Sequence, residues 1–155
     1  MTKLSDLVAY DDDYHAWVLE QIALLKAGRF GDLDVPHLTD ELKDLGNMTK
    51  REIESRLTVL LQHLLKWQFQ PDKRSNSWRA TIIEQRRRIN AELADSPSLR
   101  RYPASVIAEE YVPARLRAAD GTAIALNRFP ATCSFSATEA LDDAFWPGGG
   151  GDFDH

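Results

Sequence analysis

The chain has 155 residues, of which 43% are apolar and 28% are charged, an ordinary composition for one soluble globular domain. Its single cysteine, Cys133, excludes an internal disulfide and a cysteine-rich zinc site. There is no signal-peptide pattern at the start and no apolar run near the roughly 18 residues of a membrane span. We therefore expect a soluble, cytoplasmic protein with no membrane association and no cofactor.

The charge is unevenly distributed along the chain, although the net charge is only −5. Residues 66–101 contain nine basic and four acidic residues, whereas the segments before and after them each sum to −5. A basic middle is typical of a surface that binds nucleic acid or another anion. The alternative is that these charges lie on solvated helix faces beside acidic neighbours, which would cancel the field.

Two helices are predicted in the first half of the chain. The first covers about residues 12–26, because aspartates lie at its start and Lys26 and Gly28 lie at its end. The second begins near Pro36 and ends near Phe69, since Pro71 cannot continue it. Its apolar residues keep one helical phase past Gly46, which indicates either one bent helix or two helices in line. These residues are Leu38, Leu42, Leu45, Ile53, Leu57, Leu60 and Leu64.

Further helices are predicted after the proline. Ser75 or Ser77 is the expected N-cap of a helix at residues 78–94. Ser96 and Pro97 then suit the start of a short helical piece that runs to Tyr102.

The last third is less regular. A helix at about residues 104–119 contains Pro113, which is expected to kink or divide it. Residues 128–135 read as irregular, and Ser136 is a candidate cap for a last helical turn.

We therefore expect an all-α fold, a helical bundle built on a long central helix with a less regular C-terminal segment. Residues 1–142 are predicted to form a single domain. Residues 143–155 form a glycine-rich acidic tail that is expected to be disordered.

Several short patterns together resemble a bacterial family called domain of unknown function 29. The residues that carry the resemblance are Tyr10, Asp11, Asp13, Trp17, Glu41, RLTVLLQHLLKWQFQP from Arg56 to Pro71, Arg74, Ser77, Trp78, Gln85, Arg86, SPSL from Ser96 to Leu99, Tyr111, Phe129, Pro130 and Cys133. The resemblance extends to about residue 142. It implies an α-helical fold, and it carries no implication about activity.

Arg56 and His63 are candidate catalytic residues. They lie seven positions apart, on one face of the predicted long helix. The pair resembles the arginine and histidine of HEPN-type metal-independent ribonucleases, in which arginine stabilises the phosphate transition state and histidine transfers protons. The alternative is that Arg56 pairs with Glu52 one turn earlier, while His63 forms a hydrogen bond in the core.

A second candidate site combines basic and aromatic residues in the middle of the chain. Such a combination binds phosphates and stacks bases, but it also builds cation–π corners between helices. The residues concerned are Lys66, Lys73, Arg74, Trp78, Arg79 and Arg86.

A third, weaker candidate is an acidic helix face with one histidine. His37, Asp40, Glu41 and Asp44 share a face, and histidine with carboxylates suits a divalent metal. The spacing lacks the Glu-x-x-His pairs of di-iron bundles. The alternative is an acidic helix start with no metal, because acids favour helix N-termini.

The sequence leaves open whether the protein is an enzyme. It has no phosphate-binding glycine loop, no G-x-S-x-G elbow and no H-E-x-x-H. The first hypothesis is therefore a non-catalytic interaction or regulatory module with a protein partner or self-association. The alternatives are an RNA-binding or RNA-cleaving, toxin-like protein and, last, a metal-dependent enzyme.

Overall fold

A computed structural model describes residues 7–151, and these residues form helices and no β-strand. The helices are α1 (Tyr14–Lys26), α2 (Val35–Phe69), α3 (Asn76–Asp95), α4 (Tyr102–Thr122) and α5 (Ala137–Leu141). Short 3₁₀ turns occupy the connections between them. The all-α fold built on a long helix is confirmed.

The chain divides into two compact units, Met1–Met48 and Thr49–His155. The first contains α1 and the beginning of α2, and the second contains the rest of α2 and all later helices. The single domain predicted at residues 1–142 stays a prediction.

Helix α1 begins directly after the aspartates that were predicted to cap it. The side chain of Asp13 accepts a hydrogen bond from the Ala16 N–H at 3.0 Å, which satisfies one of the unpaired donors of the first turn. The chain then turns at Gly28, whose φ of 70° lies in the left-handed region that glycine adopts without strain.

Helix α2 is continuous over 35 residues and passes through Gly46 without a break. The sequence left open a single helix or two helices in line, and the single helix is therefore correct. It ends at Phe69, two residues before Pro71, in agreement with the prediction.

The N-cap of α3 is Ser75 rather than Ser77, and its hydroxyl accepts from the Trp78 N–H at 3.1 Å. Helix α4 begins at Tyr102 and contains Pro113 without being divided by it. The predicted short piece after Ser96 is a single 3₁₀ turn, Pro97–Leu99.

The core of the second unit is built from the last seventeen residues of α2 and from α3, α4 and the C-terminal part. Its fully buried members are mainly aliphatic, with Trp67 and Tyr111 among the large side chains. Phe129 and Phe135 close it from the irregular segment, and a capping box between Ser136 and Glu139 starts α5.

Residues 142–151, called the C-terminal segment below, contact the rest of the second unit, and the predicted disorder of residues 143–155 stays a prediction. Trp146 packs against Trp67 with 4.8 Å between ring centroids, and Trp67 Nε1 donates to the Gly149 carbonyl at 2.8 Å. Residues 152–155 of the predicted tail lie outside the described residues. Within residues 7–151, no helix is both long enough and apolar enough to span a bilayer.

Candidate functional site

An aromatic cluster fixes α1 to the beginning of α2 in the first unit. Tyr10 and Tyr14 each donate their hydroxyl to Glu41, at 2.6 and 2.7 Å. These two hydrogen bonds lower the pKa of Glu41, and the bond from Tyr10 raises the pKa of Tyr10 itself to about 12. The buried indole of Trp17 donates to Asp34 at 3.0 Å.

Asp34 and His37 form the second half of this cluster. His37 Nδ1 lies 2.7 Å from Asp34 Oδ2, and its ring stacks on Tyr10 with 4.1 Å between centroids. Partial burial raises the pKa of Asp34, but the hydrogen bonds from His37 and Trp17 outweigh it and the pKa is lowered. Asp34 is therefore a charged anchor for the start of α2.

An apolar groove opens beside this cluster, within the first unit. It is lined by Tyr14, Trp17, Val18, Gln21, Ile22, Leu25, Leu38, Glu41, Leu42 and Leu45. Leu42 is 66% exposed and Leu45 60%, and Tyr14, Ile22 and Leu25 are 42–50% exposed. Exposure of so many large apolar side chains in one place marks an interaction surface more often than an ordinary surface.

The size of the groove limits what it can bind. Its volume is about 240 Å³, below the roughly 300–1,000 Å³ of pockets that enclose a drug-sized ligand or cofactor. Its lining offers a single charged group, Glu41, whose two oxygens already accept from tyrosines. The groove therefore suits side chains of a protein helix better than a small molecule.

The four candidate metal ligands do not share one set of contacts. His37 bonds to Asp34 and Glu41 accepts from two tyrosines, whereas Asp40 and Asp44 are exposed. Among residues 7–151, no three His, Cys, Asp or Glu side chains are grouped to hold a metal ion.

Arg56 and His63, the candidate catalytic pair, make the contacts expected if the two residues are structural. Arg56 forms a salt bridge with Glu52 at 2.7 Å and donates to Gln85 at 3.2 Å. His63 Nδ1 lies 2.8 Å from the Val59 carbonyl, and burial lowers the pKa of the ring. Both side chains thus have hydrogen-bond partners on α2 or α3, and their catalytic role stays a prediction.

Three of the basic residues that the sequence predicted to bind anions donate hydrogen bonds to main-chain oxygens. Arg86 is fully buried and donates to the carbonyls of Ala140 and Phe145 at 2.8 and 2.6 Å. Arg79 donates to the Gly151 carbonyl at 3.2 Å.

Arg74 is the third of these residues. It donates to the Trp67 carbonyl at 2.8 Å and to the Pro147 carbonyl at 3.4 Å. These three arginines hold the C-terminal segment, and their predicted role in anion binding stays a prediction.

The remaining members of that set form the corner between α2 and α3. Lys66 Nζ lies 4.6 Å from the centre of the Trp78 ring, and burial lowers the pKa of the ammonium group. Lys73 is exposed on the 3₁₀ turn that joins the two helices.

Sequence reasoning missed the apolar groove because the leucine pattern of α2 reads as a core face throughout. Leu38, Leu42 and Leu45 share their phase with Leu57 and Leu64, but only the latter two are buried. The available signal was the charge next to these leucines, since residues 1–48 carry ten acidic and four basic residues.

The comparisons with known proteins identify one family. A family model described as Domain of unknown function DUF29 matches residues 9–146. No curated protein and no solved structure gives a significant match. The resemblance predicted from the residues is confirmed, and the chain belongs to the DUF29 family.

Proposed function

We propose that the protein is a non-catalytic interaction module that binds the apolar face of a protein helix in its apolar groove. The observation that carries this proposal is the concentration of exposed apolar residues in the first unit. Among residues 7–151, thirteen large apolar residues are exposed, and nine of them lie in the range from Tyr14 to Met48. A monomeric domain ordinarily scatters such residues singly.

The groove also has the spacing that a helix requires. Tyr14, Val18, Ile22 and Leu25 recur at intervals of four, four and three residues along α1. A helix that packs on such a stripe presents its own residues at i, i+3, i+4 and i+7. The aromatic cluster supports the stripe by holding Tyr14 and Trp17 in place.

The RNA-cleaving alternative has less support. A catalytic arginine must meet the phosphate, whereas Arg56 is paired with Glu52 and Gln85. Burial favours the neutral form of His63, whose Nδ1 bonds to a carbonyl of its own helix.

Site-specific photo-crosslinking tests the proposal. A photo-reactive amino acid replaces Leu42 in the groove or, as a matched control, Leu116 on α4, which is 54% exposed. We expect crosslinked protein adducts from position 42 and not from position 116 when the full chain is irradiated in its host cells. Equal yields at the two positions, or none at position 42, would contradict the proposal.

A further inference from the structure

We infer that the helix bound in the apolar groove belongs to a second copy of this chain, with the two α1 helices antiparallel about a two-fold axis. This inference rests on the proposed function, because it names the occupant of the same groove. A two-fold interface requires a self-complementary surface, in which residue i of one copy meets residue j of the other and the reverse.

The apolar stripe of α1 has this self-complementarity. An axis level with residues 19 and 20 places Tyr14 of one copy opposite Leu25 of the other. The same axis places Val18 near Ile22. These four side chains all line the groove. Over the 13 residues of α1, about 20 Å of helix, the large apolar groups of one copy therefore meet those of the other.

The charges at the two ends of α1 match in the same register. Asp13 immediately precedes Tyr14, and Lys26 immediately follows Leu25, so the axis brings the acidic run 11–13 beside Lys26 of the other copy. Lys26 is exposed and forms no salt bridge in the described part of the chain. Opposite charges at both ends fix the antiparallel direction, since parallel helices would place like charges together.

The net charge of the first unit opposes self-association, but it acts at longer range. Residues 1–48 sum to −6. At physiological salt, charges more than about 8 Å apart are largely screened. The facing ends of α1 lie within that distance of each other in the dimer, whereas charges on the outer faces of the units do not.

The exposed apolar area of the groove is large enough to form an interface between two copies of the chain. Five groove side chains are 42–66% exposed. With about 150–200 Å² for each when fully accessible, they expose roughly 400–500 Å² in one copy. Two copies would cover roughly 800–1,000 Å² of apolar surface, and the polar rim brings the total past the approximate 1,000 Å² of a specific interface.

Sedimentation equilibrium of the full chain, combined with a charge swap, tests the inference. We expect a dimer for the wild-type chain and at least about tenfold weaker association for Lys26→Glu and for Asp11→Lys/Asp12→Lys. Mixing these two variants should restore a heterodimer, which a folding defect would not do. Asp13 is left unchanged because it caps α1. Leu42→Gln/Leu45→Gln should abolish association, whereas Ile83→Gln/Leu116→Gln, exposed residues of the second unit, should not.

A chain that stays monomeric, or a Lys26→Glu variant that dimerises like wild type, would overturn the inference. A monomeric chain that still crosslinks a different protein at position 42 would leave the proposed function standing and remove only the second copy. Absence of crosslinks and of dimers would remove both.

Discussion

Replacement of Arg86 by methionine is expected to destabilise the second unit by about 2–4 kcal/mol. The side chain is fully buried, and its Nε and Nη2 donate to the carbonyls of Ala140 and Phe145. A hydrogen bond from a charged donor contributes about 1.5–3 kcal/mol, so the two contribute about 3–6 kcal/mol.

Part of this loss is offset. Arg86 Nη1 has no hydrogen-bond partner within the described chain, so the buried charge is incompletely compensated and methionine removes its desolvation penalty. Methionine also keeps much of the packing beside Trp146, whose ring lies 5.2 Å from the guanidinium carbon. These two effects reduce the expected destabilisation to the stated range.

Urea unfolding followed by circular dichroism measures the effect as a change in the free energy of unfolding. Arg87→Met is the matched control, because Arg87 is 60% exposed and pairs with Glu84 on the surface. It should change stability by less than about 1 kcal/mol. If Arg86→Met were as stable as this control, the structural role assigned to the buried guanidinium would be wrong.

Three further predictions concern other parts of the chain. Gly46→Ala should raise the free energy of unfolding by about 0.5–1 kcal/mol in thermal unfolding, because Gly46 lies inside α2 with nothing within 4 Å of an added Cβ; a loss of stability would contradict a continuous helix there. Gly151→Ala should speed hydrogen exchange in the C-terminal segment, because its Cβ would overlap the Trp146 indole, and unchanged exchange would argue against that contact. In an NMR titration, Tyr10→Phe should raise the pKa of Glu41 towards its ordinary value, because one of its two hydrogen bonds is lost. The hydrogen bond that raises the pKa of Tyr10 stabilises the first unit fully below pH 10.0, and this stabilisation is lost as the pH rises to about 12. Tyr10→Phe should therefore remove this dependence of stability on alkaline pH. An unshifted Glu41 titration would refute the assigned bond.

Local patterns predicted the helices well because their determinants are close in sequence. The phase of apolar residues carried α2 through Gly46, and the Arg56–Glu52 pair could be named as an alternative because the two residues lie one turn apart. The choice between Ser75 and Ser77 needed the backbone conformation, since either hydroxyl could cap α3.

The roles of the arginines could not be predicted in the same way. Arg86 and Arg79 bond to main-chain oxygens 54–72 residues away, and every residue type presents such an oxygen. Nothing in the sequence marks an acceptor of this kind, so these hydrogen bonds of the arginines could not be predicted from the sequence. The exposure of Leu42 was hidden for a related reason, because periodicity indicates which face is apolar but not what covers it.

The attachment of the C-terminal segment through main-chain oxygens has a consequence for mutational tolerance. The acceptors of these bonds are main-chain carbonyls of Phe145, Pro147, Gly149 and Gly151, so the bonds depend on the path of the backbone and not on side-chain donors or acceptors in the segment. A saturation library should therefore accept many substitutions at exposed positions such as Ala144. The donors on α2 and α3 have no such freedom, so the information that places the segment is encoded some seventy residues upstream of it.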